Sequence, residues 1–378
     1  LMREINIVML ESIQAPTLLL DPHRTRANMD RMIRKAKAGG LLLRPHFKTH
    51  QSHHVGRWFK EAGINKITVS SVGMAGYFAE DGWTDITIAF PVNIRQMDAL
   101  NQLAARCRLG VLVLDTDTIS ALGHGLQHPV EVWIKIDVGT HRTGLNPDNH
   151  ARFDQIFAAM EAFPLLRPSG FLAHAGHTYH CRTDNDIKKI YQSSLDMLSE
   201  LKQTYRDRFP KLKISLGDTP GASVTEDFGP VDELRPGNFV FYDLMQEQIG
   251  ACSLDDISVA MACPVVAIHP DRLQWILYGG AIHFSKDAIL LGDGKRCYGK
   301  MVEPAGTSWS VTHTEQLPYL TSLSQEHGIV QCTPETFDLC KPGDLSLWLP
   351  VHSCLTADAM GGYLSTDGQK IDHYRSMR

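Results

Sequence analysis

The sequence predicts a (β/α)8 TIM-like barrel followed by a C-terminal, mainly antiparallel β domain. Two observations lead there. Between residues 40 and 235, short apolar runs alternate with longer amphipathic stretches, the signature of βα units around a parallel sheet. Beyond residue 255 the runs shorten and are punctuated by Gly, Pro and Asp, as in strands joined by tight turns.

Taken in order, eight strand-like runs are legible: 41–43, 66–69, 86–89, 111–114, 132–136, 170–173, 213–216 and 232–235. Helical patterns lie between them, the clearest at 50–62, 93–106, 147–162 and 184–208. Eight parallel strands with intervening helices close into a barrel, whereas a doubly wound sheet usually has fewer strands and a reversal of strand order. The later runs 259–261, 265–268, 275–278 and 345–349 belong to the β domain. The expected division is a barrel over 16–255 and a β domain over 256–378, with residues 1–20, through the run 17–20, adding a strand to the latter. No internal repeat or low-complexity segment interrupts this plan.

The 378 residues are 43% hydrophobic and 21% charged, the composition of a protein with an ordinary buried core. A net charge of -5 offers no basic patch for nucleic acid or an anionic membrane, so a small-molecule ligand is the expected partner. The start, Met2 to Leu10, is too short and too acidic for a secretory signal, and Leu1 ahead of Met2 is expected to be a remnant of expression. Eight scattered cysteines without a CxxC pair suit a reducing compartment, and the expected location is cytoplasmic.

Barrels carry their chemistry at the C-terminal ends of the strands, and the residues there are polar in this chain. Lys48 follows the first run. An amine at a barrel mouth beside an apolar strand can be desolvated and form a Schiff base; the structural alternative is an exposed lysine at a helix start. The loop 217–223 and the turn 235–238 follow the last two runs, where barrels often hold a phosphate on backbone N–H groups, although Gly and Pro there also simply make turns. In the stretch 174–181, His177 suits proton transfer and Tyr179 a contact to a ring or phosphate, with structural histidines as the alternative. His352 and Cys354 end a strand-like run two residues apart, a spacing that puts both on one face and offers N and S ligands to a cation, zinc before magnesium. A buried cysteine beside a surface histidine is the plainer reading of that pair.

Together these segments resemble the D-threonine aldolase and D-serine dehydratase family, fold-type III pyridoxal-phosphate enzymes whose barrel is similar to the N-terminal domain of alanine racemase. The carrying residues are 16–21, Arg44-Pro45-His46-Phe47-Lys48-Thr49-His50, His141-Arg142-Thr143-Gly144, 174–179, Gly217-Asp218-Thr219-Pro220, Arg235-Pro236-Gly237-Asn238 and His352-Ser353-Cys354. The Arg-Pro-His-x-Lys-Thr-His segment is the specific one. The resemblance implies that Lys48 is the Schiff-base lysine and that Arg142 faces the cofactor ring. It implies further that Tyr179, Thr219, Gly237 and Asn238 hold ring and phosphate, and that His352 and Cys354 bind a divalent metal, zinc first, with manganese or magnesium as alternatives.

Two departures bear on the expectation. Asp218 stands where many relatives have Ser or Gly, so its carboxylate is expected to point away from a phosphate. The pair reads His-x-Cys, as in the dehydratase branch, rather than His-x-Asp, as in the aldolases. The implied function is therefore a lyase on D-3-hydroxy amino acids that eliminates water to give a 2-keto acid and ammonia. The alternatives are retro-aldol cleavage to glycine and an aldehyde, racemization, and a non-catalytic cofactor carrier. Relatives of this kind imply a homodimer.

Overall fold

The computed structural model describes residues 10–377, so the readings of Leu1 and of residues 2–9 lie outside the described residues. The chain forms two compact units. One comprises Asp30–Lys48 and Gly56–Gly237; the other takes the residues up to Met29, Thr49–Val55 and those from Asn238 onward. This division differs from the expected cut at 255/256, because residues 238–255 group with the β unit. There the Asp243 carboxylate accepts from the Ser353 N–H at 2.9 Å and from the Ser353 hydroxyl at 3.2 Å.

The first unit is the predicted barrel. After β1 (Thr17–Leu20) and α1 (Pro22–Ala38), the chain runs β2 (Leu42–Leu43), α2 (His53–Glu61), β3 (Ile67–Val69), α3 (Val72–Glu80), β4 (Asp85–Pro91) and α4 (Met97–Ala104). It continues β5 (Arg108–Val113), α5 (Thr116–Gly125), β6 (Val130–Ile136), α6 (His150–Glu161), β7 (Leu166–Ala173), α7 (Asp184–Thr204), β8 (Lys213–Leu216), α8 (Thr219–Val224) and β9 (Glu233–Leu234). The parallel sheet has the order β2-β9-β8-β7-β6-β5-β4-β3. A parallel bridge between His46 and Thr68 joins its two ends.

Local chemistry explains why each strand gives way to a helix. Ser71, Asp115, Asn149, Thr183 and Asp218 stand immediately before α3, α5, α6, α7 and α8, and each side chain accepts an N–H of the first turn. The expected helix 93–106 starts instead as a 3-10 turn, Ile94–Gln96, because Asn93 accepts the N–H of Arg95 and tightens the entry. Apolar side chains from adjacent strands, among them Leu112, Trp133 and Leu172, fill the barrel at about 1% exposure each.

The barrel also buries a polar network. Glu233 accepts from Arg44 Nε and from the Ser215 hydroxyl, both at 2.6 Å. Arg44 Nη1 reaches Asp85 at 2.6 Å, and Arg235 Nε donates to Ser215 Oγ at 2.6 Å. Arg44, Glu233 and Arg235 are each at most 4% exposed, so every charge depends on its partner to offset desolvation.

The second unit holds the β domain. Six antiparallel strands form a ring: Val259–His269, Gln274–Tyr278, His327–Gln331, Tyr319–Leu323, Gly299–Ala305 and Leu345–Pro350, which returns to Val259–His269. β1 pairs antiparallel with Val259–Ala262 and parallel with Tyr363–Ser365, so the run 17–20 does extend this sheet. Pro264, which has no N–H to donate, falls between the pairings of Val259–His269 with β1 and with Gln274–Tyr278.

Replacing Glu233 with Ala leaves Arg44 and Ser215 without their shared acceptor inside the barrel. Urea unfolding of Glu233→Ala is expected to show a loss of about 3–5 kcal/mol. A loss within about 0.5 kcal/mol, typical of an exposed site, contradicts this view of the network.

Candidate active site

In the barrel unit the C-terminal strand ends bring together a set of basic groups. Within residues 47–52, Lys48 is the exposed one, against the desolvation expected for it. The reason lies in its neighbors: Phe47 and Thr49 are fully buried, and Phe47 packs on Phe59, Phe78 and Trp83 with ring centroids 4.9–5.2 Å away. The Lys48 N–H donates to His46 Nδ1 at 3.3 Å. Arg142 is exposed and follows β6 through a loop in which Asp137 accepts the N–H groups of Gly139 and His141 and the His141 ring, each at 3.0 Å. Gly144 is required here, with φ +128° and the site of a Cβ 2.4 Å from the Asp137 nitrogen.

Burial first, and the nearby cations second, set the titration of the groups around Lys48. His174 is pulled down to about 3 by burial and then by the charge of Lys48, and His46 falls well below its ordinary value for the same two reasons. Arg142 adds to both shifts, which puts Lys48 and Arg142 in one electrostatic neighborhood. Lys135, buried on β6, is lowered to about 7 by burial, then by Arg235 and Arg142. His174 Nδ1 lies 2.7 Å from the Gly217 carbonyl, an obligate acceptor, so Nδ1 carries the proton and Nε2 the lone pair.

His177 has its tautomer fixed in the same way. The Thr140 hydroxyl donates its single proton to the His174 carbonyl at 3.0 Å and accepts the Gly176 N–H at 2.9 Å. Its remaining contact, 3.3 Å to His177 Nδ1, must be accepted from the ring, which leaves Nε2 as the basic nitrogen. Burial holds His177 below its ordinary pKa. Tyr179 follows in the 3-10 turn Gly176–His180, its ring centroid 6.4 Å from that of His174.

The loop after β8 is built around Asp218. Asp218 does turn toward its own helix, accepting the Gly221 N–H at 2.7 Å and the Thr178 hydroxyl at 2.9 Å. The Ala222 N–H goes to the Asp218 carbonyl and Pro220 has none, so the α8 terminus spends these groups internally. Burial raises Asp218 to about 6, and the hydrogen bonds of Gly221 and Thr178 only partly offset it. Thr219 is the buried first residue of α8; Gly237 is buried at the end of the barrel unit, and Asn238 opens the next stretch of the β unit. Gly217 permits a close approach, since a Cβ there would lie 2.7 Å from the Arg235 nitrogen.

In the β unit, His352 and Cys354 do come together, though not on a strand. The strand Leu345–Pro350 has ended, His352 is the N-cap of helix Ser353–Met360, and Cys354 lies in its first turn. His352 Nδ1 pairs with Asp287 Oδ2 at 2.6 Å. Burial opposes the charge on His352, but the bonds to Asp287 and Cys354 win and push it up to about 11. For Cys354 burial works against the thiolate, and His352 and then Thr49 outweigh it, so its pKa is lowered. Thr49 Oγ1 is 3.3 Å from Cys354 Sγ, and Asn238 Nδ2 donates to that sulfur at 3.4 Å and to Asp243 at 2.6 Å. Asn238 Oδ1 is buried without a partner. Among the described residues, no group of three or more His, Cys, Asp or Glu is arranged to hold a metal.

Several of these groups escape a sequence reading. Asp287 lies 65 positions from His352 in a loop without periodicity. Lys135 did leave a signal, a charged residue inside an otherwise apolar strand run.

Comparison with known proteins fits this arrangement. Residues 20–244, more than half of the chain, match the family described as "Alanine racemase, N-terminal domain". The chain belongs to that family. Residues 258–366 match a second description, "Putative serine dehydratase domain". D-serine dehydratase of Dictyostelium discoideum is 28% identical, covering 97% of each chain. D-threo-3-hydroxyaspartate dehydratase of Delftia sp. (strain HT23) is 28% identical over 95% of this chain and 96% of that one. Its solved structure superposes with a TM-score of 0.87 at 27% identity, covering 96% and 98%. A mutant of D-threo-3-hydroxyaspartate dehydratase in a metal-free form superposes with a TM-score of 0.87 at 26% identity over the same shares. D-threonine aldolase of Arthrobacter sp. is 25% identical over 86% of this chain and 82% of that one. The motif resemblance and the fold class are thereby borne out.

Asp218 gives a measurable pH effect. Its pKa is higher in the folded protein, so the stabilization is full below the unfolded value and is lost as pH rises through about 6. Between acidic and neutral pH, wild type is expected to lose roughly 2–3 kcal/mol that Asp218→Ser, which retains a capping oxygen, does not lose. Parallel pH-stability curves for the two proteins exclude the raised pKa.

Proposed function

We propose that the chain is a pyridoxal-phosphate-dependent lyase of the D-serine dehydratase type, removing water from a D-3-hydroxy amino acid to give a 2-keto acid and ammonia. The observation that carries this reading is that dehydratases match the chain from end to end with both of its domains. The barrel residues fit an anionic aldehyde cofactor: an exposed primary amine on Lys48, the cations Arg142 and Arg235, and two histidines kept neutral. In this assignment Lys48, Arg142, Tyr179, Thr219, Gly237 and Asn238 hold the cofactor. When bound, pyridoxal phosphate supplies an electron sink for the charge left by loss of the α-proton.

The protein's own groups then have defined tasks. The Lys48 amine takes the α-proton, a role open to a primary amine placed beside the cofactor. His174 Nε2 and His177 Nε2 are lone-pair nitrogens with fixed tautomers and need no prior deprotonation. His352 and Cys354 fit a divalent cation: Nδ1 is committed to Asp287, and the cation would take the place of the proton that stabilizes the His352 and Cys354 pair. Such an ion supplies Lewis acidity toward a hydroxyl leaving group. Zinc suits the imidazole and thiolate donors best, with manganese or magnesium next.

Retro-aldol cleavage is the second reading, favored by the basic Nε2 of His177 and the aldolase relative. The proposed setting is a cytoplasmic homodimer that takes a small D-amino acid and binds neither nucleic acid nor membrane. All eight cysteines are free, Ile282, Leu290 and Leu355 are exposed in the β unit, and no described helix is long and apolar enough to cross a membrane.

Incubation of the cofactor-loaded protein with D-serine is expected to release pyruvate and ammonia, and Lys48→Ala to abolish turnover and borohydride trapping. Glycine from D-threonine without any keto acid selects the aldolase reading. Zinc titration of Asp287→Ala is expected to give an affinity about 10- to 100-fold weaker than wild type. Equal affinities would remove Asp287 from the metal assignment.

A further inference from the structure

The backbone that leaves Lys48 is held by contacts to which the lyase reading assigns no task. Within the β unit, the Tyr363 hydroxyl donates to the His50 carbonyl at 2.6 Å, and the Tyr374 N–H to the Gln51 carbonyl at 2.7 Å. Gln51 Nε2 reaches Asp358 at 3.1 Å. Asp372 then gathers three donors: Ser52 Oγ at 2.9 Å, the His53 N–H at 2.9 Å and the His54 N–H at 3.0 Å. The last two are N–H groups of the first turn of α2, so a carboxylate more than 300 residues away in sequence caps that helix.

The geometry being held is an uncommon one. Gln51 has φ +46°, a left-handed conformation that a residue with a side chain adopts only when its surroundings over-determine it. Here they do, through the bonds to both its carbonyl and its side chain. Two residues earlier, Thr49 is fully buried with its hydroxyl on Cys354. Lys48 is joined to Thr49 by one peptide bond, and Phe47 on its other side is locked in an aromatic cluster.

We propose that Asp372 is a positioning residue for Lys48: by fixing Ser52, His53 and His54 it sustains the left-handed turn at Gln51, and so the course of the chain from which the Lys48 side chain departs. The proposal rests on the assignment of Lys48 as the cofactor lysine. It requires Asp372 to affect the placement of the amine, beyond the stability of α2.

The test uses the cofactor-loaded protein with Asp372→Ala, Asp372→Asn and the double variant Asp372→Ala/Gln51→Gly. Asparagine keeps the Oδ1 acceptor used by Ser52 and His54, and glycine adopts φ +46° without strain. Expected for Asp372→Ala is a kcat about 10- to 100-fold lower, the scale of a misplaced reacting group, with KM changed far less. The midpoint of the pH titration of the visible cofactor band shifts, while borohydride still attaches the cofactor to Lys48. Asp372→Asn falls between wild type and Asp372→Ala, and Gln51→Gly in the double variant restores part of kcat. If Asp372→Ala does not fold, the same readouts on Asp372→Asn decide. A lower melting temperature with kcat and the band titration unchanged reduces Asp372 to a helix cap and overturns the proposal. Wild type that gives no borohydride adduct at Lys48 overturns the cofactor assignment itself, a failure visible before any Asp372 variant is made.

Discussion

Everything in the barrel unit depends on how residues 42–47 close the sheet. This stretch has to satisfy β9 on one side and β3 on the other. Arg44 and His46 give their N–H groups to Leu234 and Pro236, each at 2.8 Å, and Phe47 gives its own to Thr68 at 2.8 Å. Pro45 has no N–H, yet its carbonyl accepts from Thr68 at 2.9 Å. The switch of pairing side between His46 and Phe47 drives the Phe47 ring into the pocket of Phe59, Phe78 and Trp83. Lys48 is the first residue beyond it. Closing the barrel and delivering an amine at its C-terminal edge are one structural event.

The same seam explains why the barrel interior is polar near Arg44. Arg44 lies on the closing stretch and its guanidinium points inward, where Glu233 and Asp85 answer it. Glu233 then serves Ser215, and Ser215 serves Arg235, so one carboxylate ties together groups from the β2, β8 and β9 regions. Burial pulls Arg235 down to about 10, and the charge of Glu233 restrains that fall. Arg235 therefore stays cationic at neutral pH despite being 4% exposed, and its positive charge extends toward the strand ends.

How much of this was legible depends on the range of the interaction. The eight strands follow from local apolar runs, and the helix starts from Ser, Thr, Asp and Asn at the strand ends, because both are set by neighbors in sequence. Lys48, His177 and the pair His352 and Cys354 were legible as reactive types at strand ends. His352 and Cys354 do lie close together, but a helix N-cap rather than strand alternation brings them there. Asp287, Asp243 and Asp372 were invisible because each acts across a long stretch of chain, and a lone aspartate in a loop carries no periodic signal. At the loop 217–223 the side chain of Asp218 is turned to the Gly221 N–H, so that one donor of the loop is committed to the helix cap.

The charge states at the barrel mouth follow a single logic. Lys48, Arg142 and Arg235 are cations, and the ring of His174 and that of His46 are driven neutral by burial and by those charges. Lys135, under the same influences, stands near its own midpoint at neutral pH. Neighboring cations repel one another, and the buried histidines yield first because they give up a proton most readily. What is left is a set of positive side chains beside uncharged imidazoles, with Nδ1 of His174 protonated toward Gly217. An anion beside them lowers the repulsion directly, whereas a neutral or cationic guest gains nothing. Electrostatics of this kind favor an anionic group beside Lys48, and that is the support they lend to the proposed phosphate-bearing cofactor.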